Sequence, residues 1–278
     1  MENTERRNDM YLEEIFGLKG KTAVVTGGGQ GIGQVIAVGL AKAGAEIVIV
    51  CRSGADETIR LVEEAGGKAY YVKCDVTDEA AVNAAVAEII EKSGKIDILF
   101  NNAGACYHKK AIVREGEELG GLNDGEATVA EWRNILEVNL TGEYIMSVAV
   151  ARTMIERGIR GSIINMASMS GTIVNIPQCQ ASYNASKAGV MHMTKSLAIE
   201  WADYGIRVNS LSPGYVGTPM SQPPFVHQEL LDAWYPLFPL HRMAKPEELI
   251  PAVLYLASPA SGYTTGSDLI VDGGYSCV

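Results

Sequence analysis

The chain has 278 residues, a length that suits one or two domains. Hydrophobic residues make up 47% of it and charged residues 20%, which is typical of a globular protein with a sizeable core and excludes a disordered chain. The net charge of −10 at pH 7 disfavours a nucleic-acid partner, because phosphate contacts need clustered lysine and arginine, and it equally disfavours an anionic membrane surface.

Short apolar segments alternate with segments of helical periodicity along the whole chain. Predicted strands cover residues 22–26, 47–50, 69–72, 96–100, 161–165, 206–210 and 269–271. Predicted helices cover residues 34–43, 79–92, 183–204 and 247–258, with one or two more over 129–150. Thr77 and Asp78 precede the helix at 79–92 as candidate caps. The alternation predicts an α/β fold, a single Rossmann-type domain with a doubly wound parallel sheet and helices on both faces.

Three stretches interrupt this alternation. Residues 1–19 precede the first strand, residues 106–128 form a polar, glycine-rich loop, and residues 215–242 are rich in proline and aromatic residues. We expect an N-terminal extension over 1–19 and a dinucleotide-binding catalytic domain over 20–278. The extension contains the apolar residues Leu12, Ile15 and Phe16, so docking on a neighbouring subunit, covering of the site and a disordered tail are all open.

The cysteines, histidines and N-terminal residues bear on metals and on cellular location. The five cysteines are scattered and none forms a C-x-x-C pair, so we expect neither a disulfide framework nor a metal site. His227 and His241 are isolated and favour a structural role over metal binding. The N-terminus is charged and lacks the apolar core of a signal peptide, and no apolar stretch is long enough to span a membrane. We therefore expect a cytoplasmic protein.

A glycine-rich segment, TGGGQGIG at residues 26–33, lies between the first predicted strand and the first predicted helix. Glycine lets the backbone approach a pyrophosphate, and a helix N-terminus offers free N–H groups, although such a segment alone also forms simple tight turns. An acid after the third strand can accept from an adenine amino group, and an NNAG segment follows the fourth strand. The expected cofactor-binding residues at this edge are Gly27, Gln30, Gly31, Ile32, Asp75, Val76, Asn102, Ala103 and Gly104.

The form of the cofactor depends on the end of the second strand. A site that prefers NAD(H) usually places an acid there to bind the ribose hydroxyls. This chain has Cys51, Arg52 and Ser53 instead, and Arg52 can pair with a 2′-phosphate, which favours NADP(H). The alternative is that Arg52 lies against the adenine or faces solvent, and the neutral Gln30 adds no second base. Both NAD(H) and NADP(H) therefore stay open.

The segment YNASK places Tyr183 and Lys187 on one face of a helix. A nearby ammonium favours the phenolate, and lowering an ordinary phenol pKa of ~10 by about 3 units takes about 4 kcal/mol. Tyr183 would then exchange a proton with an alcohol or ketone near neutral pH. Ser168, with Ser170 as the alternative, can hold the substrate oxygen. Asn139 lies in a helical segment, where a buried amide either holds a water that links Lys187 to solvent or is a satisfied core residue.

Taken together, these motifs resemble the short-chain dehydrogenase/reductase family. The resemblance covers nearly the whole chain and rests on residues 26–33, NNAG at 101–104, Asn139, Ser168, YNASK at 183–187, SPGYVGT at 212–218 and TTGSDLIVDGG at 264–274. It implies reversible hydride transfer between a nicotinamide and a carbonyl or alcohol of a small-molecule substrate, in a protein that is usually a homotetramer.

The resemblance also implies a role for each residue of the site. Tyr183 would donate and accept the proton, while Lys187 would lower the pKa of Tyr183 and hold the nicotinamide ribose. Ser168 would polarise the substrate oxygen, and Asn139 would anchor a water of the proton relay. Further cofactor-binding positions, of which the last two would hold the nicotinamide carboxamide, are Pro213, Val216 and Thr218.

Two substrate classes are indicated by different parts of the chain. Residues 167–189 and 200–215 resemble polyol and ketose reductases of the mannitol, arabinitol and sorbose types, and some bacterial hydroxysteroid dehydrogenases are also similar. Apolar residues expected near the site nevertheless favour a bulky apolar ketone: Cys106, Tyr107, Met166, Met169, Tyr215, Met220, Pro223, Pro224, Phe225, Trp234, Tyr235 and Phe238. These aromatics could equally pack a lid or a subunit interface, and polar candidates are also present: His108, Asn175, Gln178, Gln180 and Glu229.

We therefore expect a hydroxysteroid or ketosteroid substrate, with a polyol or ketose as the alternative. A more distant alternative is a nucleotide-sensing protein without turnover, because the fold alone binds nucleotides. The four candidate catalytic positions all carry the side chains that turnover needs, which favours an enzyme.

Overall fold

A computed structural model describes residues 11–221 and 226–277 of the chain. The predictions for Pro223, Pro224, Phe225 and the side chain of Met220 lie outside the described part. Seven parallel strands form one sheet in the order β3-β2-β1-β4-β5-β6-β7. In chain order they are β1 (Thr22–Thr26), β2 (Glu46–Cys51), β3 (Lys68–Lys73), β4 (Ile98–Asn101), β5 (Ser162–Met166), β6 (Arg207–Pro213) and β7 (Asp268–Val271).

Helices connect successive strands and cover both faces of the sheet. In chain order they are α1 (Gly31–Lys42), α2 (Asp56–Glu64), α3 (Glu79–Ser93), α4 (Val129–Leu136), α5 (Gly142–Glu156), α6 (Ala181–Glu200), α7 (Gln228–Trp234) and α8 (Ile250–Ala257). The strand order reverses between β1 and β4, which opens a crevice at the carboxyl ends of these strands. The predicted single Rossmann-type domain is thereby confirmed.

Two apolar layers hold the helices against the sheet. Val24 and Leu99 belong to the layer that contacts α3, α5 and α6. Val25 and Phe100 belong to the opposite layer, which contacts α1 and α8. Successive residues of each strand therefore enter different layers, and every residue of β1, β4 and β5 is buried. Burial on both faces explains why these strands are apolar without alternation in the sequence.

The structure refines the predicted helices over 129–150 and adds two helices that the sequence pattern does not predict. The region 129–150 is α4, a π-helical turn at Glu137–Thr141, and α5. Helix α2 is not predicted, because it is short and mostly polar and buries only Thr58 and Val62. Helix α7 lies in the proline-rich segment and has seven residues, too few for a clear pattern. The cap of α3 is Asp78, whose side chain accepts from an N–H of its first turn as predicted.

The start of the chain is partly described. Residues 11–16 are helical, and the side chains of Tyr11 and Leu12 are exposed. Leu18 is buried in the core, and its N–H donates to the carbonyl of Ala43 at 2.7 Å. The folded domain therefore begins by residue 18, while the division at residue 20 and the docking role of the extension stay predictions. Within the described residues, no helix is long and apolar enough to cross a bilayer.

Candidate active site

The glycine-rich turn after β1 packs directly against the segment after β4. Gly27 has a φ of +65°, and a Cβ there would lie 3.0 Å from the Cα of Ala103. A Cβ at Gly33 would lie 2.6 Å from Nδ2 of Asn102, so both positions require glycine. Thr26 joins the two segments, because its Oγ1 accepts from the N–H of Asn102 at 2.9 Å and of Ala103 at 3.1 Å.

The N-terminus of α1 faces the same crevice with free donors. Gln30 precedes the helix and provides no side-chain cap, and no acid lies in the first turn, which begins with Gly31 and Ile32. The first N–H groups of a helix have no partner within it and carry a partial positive charge. The predicted residues around this turn therefore lie together in a cradle that fits the pyrophosphate of a dinucleotide.

The ends of β2 and β3 bring Arg52 and Asp75 together. Nη1 of Arg52 lies 3.6 Å from Oδ2 of Asp75, and 75% of the Arg52 side chain is exposed. Asp75 also accepts from the N–H and hydroxyl of Thr77, and these hydrogen bonds, with a smaller contribution from Arg52, lower its pKa. Val76 is buried beside Gly142. The ion pair is long and exposed, so the guanidinium stays accessible at the end of β2, where no acid is present.

Helix α6 positions Tyr183 and Lys187 beside the end of β5. Nζ of Lys187 lies 5.9 Å from the centroid of the Tyr183 ring. Nζ also donates to the carbonyl of Met166 and, at 3.2 Å, to Oε1 of Glu143. Ser168 follows β5, is buried, and lies within hydrogen-bonding reach of Tyr183. The predicted tyrosine, lysine and serine therefore share one site, while their chemical roles stay predictions.

The electrostatics of Tyr183 differ from the prediction. Burial of the phenol raises the pKa of Tyr183 above its ordinary value, and the neighbouring Cys106 raises it further. The hydrogen bond to Ser168 lowers the pKa, and the carboxyl of Glu143 raises it. The sequence predicts a lowered pKa from Lys187, but the loss of solvent around the phenol outweighs that effect in the protein without a cofactor. Tyr183 is therefore a neutral phenol, the form that donates a proton.

Asn139 lies in the π-helical turn between α4 and α5. Its Oδ1 accepts from the N–H of Ala105 at 2.8 Å, and its Nδ2 donates to the Ala105 carbonyl at 2.8 Å and to Oγ of Ser186 at 3.1 Å. The side chain is completely buried, and a Cβ at Gly104 would come within 3.3 Å of Oδ1. Asn139 therefore fixes the segment after β4 against α6, while the predicted role as a water anchor stays a prediction.

The sequence motifs do not single out Glu143, which contacts Lys187 from α5. Its side chain is 2% exposed, and burial raises its pKa to about 8 against the influence of Lys187. A sequence signal was present, because Glu143 is an acid on an otherwise apolar part of α5 and follows Asn139 by one helical turn.

The segment after β6 completes this edge of the sheet. Pro213 ends β6, and Val216 is buried and pairs with Ala244. The N–H of Thr218 donates to Oγ of Ser221 at 2.8 Å, which closes a short turn. The three predicted cofactor-binding positions thus lie in one segment, from the last residue of β6 onward, next to the carboxyl end of β5.

A cluster of amide side chains surrounds the hydroxyl of Tyr215. This hydroxyl accepts from Nδ2 of Asn175 at 3.1 Å and from Nε2 of Gln178 at 3.0 Å. Oε1 of Gln178 in turn accepts from Nε1 of Trp234 at 2.9 Å. Gln180 extends the network, because its Nε2 donates to Oδ1 of Asn175 at 3.0 Å. The motifs name these amides only as separate candidates and do not predict their common centre.

The aromatic residues of the proline-rich segment pack mainly against one another. Trp234 and Phe238 are 3% and 4% exposed and form an apolar cluster with Met169 and Tyr275. The Tyr215 ring lies 4.3 Å from the Trp234 ring between centroids. The expectation that these side chains form an open apolar wall for a steroid is therefore wrong for Trp234 and Phe238, because packing removes both from the surface.

Titratable clusters elsewhere offer no metal site in the described ranges. Among residues 11–221 and 226–277, no group of three His, Cys, Asp or Glu side chains is arranged to hold a metal ion.

Comparisons with known proteins agree with this geometry. A family model described as enoyl-(acyl carrier protein) reductase matches residues 27–276. A sorbose reductase of Candida albicans is 44% identical over 95% of this chain and 90% of its own length. An NADP-dependent mannitol dehydrogenase of Alternaria alternata is 41% identical over 96% of each chain. The crystal structure of a short-chain type dehydrogenase/reductase from Mycobacterium marinum superposes with a TM-score of 0.86 at 39% identity, covering 95% of this chain and 99% of the other.

Proposed function

The chain belongs to the short-chain dehydrogenase/reductase family, and from this membership we propose that it interconverts an open-chain polyol and the corresponding ketose with NADP(H). Membership itself makes the protein an oxidoreductase that acts on a hydroxyl–carbonyl pair with a nicotinamide cofactor. The polyol class replaces the expected ketosteroid as the main proposal.

One observation carries the choice of substrate class. A steroid needs a broad apolar slot, but Trp234 and Phe238 are buried in their own cluster. A polyol needs donors and acceptors for several hydroxyls, since an unpaired buried polar group costs ~1–3 kcal/mol. Asn175, Gln178 and Gln180 follow Ser168 in the chain and make this segment polar, although their amides are buried and already paired with Tyr215, Trp234 and one another. The relatives named for sorbose and mannitol support the same class.

The proposed mechanism assigns the proton transfer to Tyr183. In ketose reduction the neutral phenol donates its proton to the carbonyl oxygen, which Ser168 holds by a hydrogen bond. The bound nicotinamide supplies the hydride. Lys187 stabilises the phenolate that remains, because its ammonium is held near the ring at 5.9 Å from the centroid. In polyol oxidation the same groups act in reverse, and Tyr183 accepts the hydroxyl proton.

The preference for NADP(H) rests on the end of β2. Arg52 is largely exposed there, and residues 51–53 contain no acid that would repel a 2′-phosphate. The pair with Asp75 at 3.6 Å is too long and too exposed to hold the guanidinium firmly. The NADP-dependent relative from Alternaria alternata supports this preference.

Assembly and location complete the proposal. The family resemblance supports a homotetramer, and exposed apolar side chains on α4 and α5 offer surface for it: Val129, Trp132 and Tyr144. Light scattering after size exclusion tests this, with a mass near four times 29.7 kDa expected and a monomer mass contradicting it. The five free cysteines support the reducing setting of the cytoplasm.

The test of function is polyol oxidation with product identification. Sorbitol, mannitol and arabinitol are each incubated with NADP⁺ or NAD⁺, and the ketose formed is identified by chromatography. We expect a ketose product with NADP⁺ and its absence in the Tyr183→Phe variant, which keeps the ring and should still bind the cofactor. Equal turnover by Tyr183→Phe, or no ketose from any polyol, would contradict the proposal.

A further inference from the structure

Glu143 is a buried carboxyl group that takes no part in the proposed proton transfer. Its side chain is 2% exposed and that of Lys187 is 3% exposed, with 3.2 Å between Oε1 and Nζ. Its second oxygen, Oε2, is buried and has no hydrogen-bond partner among the described residues. A buried carboxylate with an unpaired oxygen is unfavourable unless a neighbouring charge or a proton offsets it. The protonation state of Glu143 is therefore coupled to the charge of Lys187.

Lys187 lies near two acidic groups. Its ammonium contacts Glu143 and lies 5.9 Å from the centroid of the Tyr183 ring. The carbonyl of Met166 accepts a further hydrogen bond from Nζ and fixes its position. The ammonium of Lys187 favours the ionised forms of both Glu143 and Tyr183. When one of them is ionised, its negative charge weakens the effect of the ammonium on the other.

We propose that Glu143 is a positioning residue that acts through Lys187, and that the charge on its carboxyl opposes formation of the Tyr183 phenolate. The proposal rests on the roles of Tyr183 and Lys187 in the proposed function. When Glu143 is neutral, Tyr183 experiences the full effect of the ammonium. When Glu143 is ionised, the ammonium is largely compensated and Tyr183 holds its proton to higher pH.

The surroundings of this centre support a change of charge near neutral pH. Burial raises the pKa of Glu143 to about 8 even though Lys187 acts to lower it. The other titratable groups that face the centre are Tyr183 on α6 and Cys106 after β4. Cys106 reaches the surface, but desolvation of its thiol raises the pKa to about 12, so Cys106 adds no charge until the pH exceeds this range. Glu143 is therefore the acid that changes the field around Lys187 as the pH rises.

The test is a titration of Tyr183 that uses no substrate. The near-ultraviolet absorbance of tyrosinate is followed from about pH 6 to about pH 11 in saturating NADP⁺, whose positive nicotinamide favours the phenolate, and the Tyr183→Phe variant serves as the blank. At an effective dielectric constant of about 20, removal of a carboxylate about 10 Å from a phenol lowers the midpoint of the phenol by about 1 pH unit. We expect the Tyr183 midpoint to fall by this amount in Glu143→Gln. The variant keeps the shape of the side chain and an oxygen that accepts from Lys187.

Glu137→Gln is the matched control, because Glu137 is an exposed acid on the adjoining turn. It should leave the Tyr183 midpoint unchanged. An unchanged or higher midpoint in Glu143→Gln would overturn the proposal, since the side chain would then act only through its shape. Because no substrate is present, this outcome is distinct from a failure to oxidise polyols.

A second measurement needs no variant of Glu143. Infrared spectroscopy of the unmodified protein reports the carbonyl band of a buried neutral carboxyl group. We expect a band that is lost on raising the pH through about 8, where the pKa of Glu143 lies. Loss of all such bands below about pH 5 would overturn the proposed change of charge near neutral pH, because Glu143 would then carry a constant charge wherever Tyr183 titrates.

Discussion

Replacing Tyr215 with phenylalanine tests whether the aromatic segment is packed structure or an open substrate wall. The ring stays in the variant and keeps its contacts with Trp234 and Tyr275, whose centroids lie 4.3 Å and 5.2 Å away. Only the hydroxyl is lost. Since that hydroxyl accepts from Asn175 at 3.1 Å and from Gln178 at 3.0 Å, two amide donors lose their acceptor.

The expected cost follows from the burial of these donors. Asn175 and Gln178 are 2% and 3% exposed, so water cannot easily replace the hydroxyl. Each unsatisfied buried donor costs ~1–3 kcal/mol, and Trp234 holds the other end of the Gln178 amide in place at 2.9 Å. We expect a loss of about 2–4 kcal/mol in the free energy of unfolding. For a domain of this size, the melting temperature would fall by about 3–7 °C.

Thermal unfolding by circular dichroism, together with urea unfolding at fixed pH, measures both quantities. Tyr235→Phe is the matched control, because Tyr235 lies in the same segment with 47% of its surface exposed and should change stability by less than about 0.5 kcal/mol. If Tyr215→Phe were as mild as this control, the hydroxyl would not be part of a closed network, and an open apolar wall would again be favoured.

Three further predictions concern the cofactor and the fold. In Arg52→Asp, kcat/KM for NADPH relative to NADH should fall by about 10–100-fold, and a change below threefold would refute the assignment of Arg52 to a 2′-phosphate. Burial raises the pKa of Asp97, but a backbone hydrogen bond and the ammonium of Lys21 lower it below its ordinary value. Its stabilisation is therefore present above about pH 4 and lost as the pH falls through the folded-state pKa. Asp97→Asn should reduce the loss of unfolding free energy at acid pH, measured by urea unfolding. An unchanged loss would contradict the assignment of this pH dependence to Asp97. Asp78→Ala removes the acceptor for the N–H of Ala81 and should cost ~1 kcal/mol of stability in the same assay, so equal stability would count against the cap.

Most of the fold follows from the sequence because parallel strands buried on both faces leave a strong apolar pattern. The strand at Thr22–Thr26 is predicted with its observed bounds. Helices α2 and α7 are not predicted, for different reasons. Helix α2 is mostly exposed, and helix α7 is short and lies in a proline-rich segment. The turn around Gly27 is predicted from its glycine-rich segment. The structure explains the glycine, because φ is positive there and a Cβ would meet Ala103.

The candidate site is predicted in its positions more than in its electrostatics. Tyr183 and Lys187 are identified by their spacing on one helix, which depends only on helical geometry. The raised pKa of Tyr183 depends on burial by distant parts of the chain, which spacing does not report. Glu143 and the network around Tyr215 are missed for the same reason, because their partners come from elements far apart in sequence.

Direct competition between a ketose and a ketosteroid tests the proposed substrate class most sharply. Sorbose and a 20-ketosteroid are mixed with NADPH and the protein, and both alcohol products are quantified at early times. A preference of at least about tenfold in kcat/KM for sorbose is expected, a difference of about 1.4 kcal/mol in transition-state stabilisation. Faster reduction of the ketosteroid would contradict the account, because it would require the buried aromatic cluster around Trp234 to open toward the substrate.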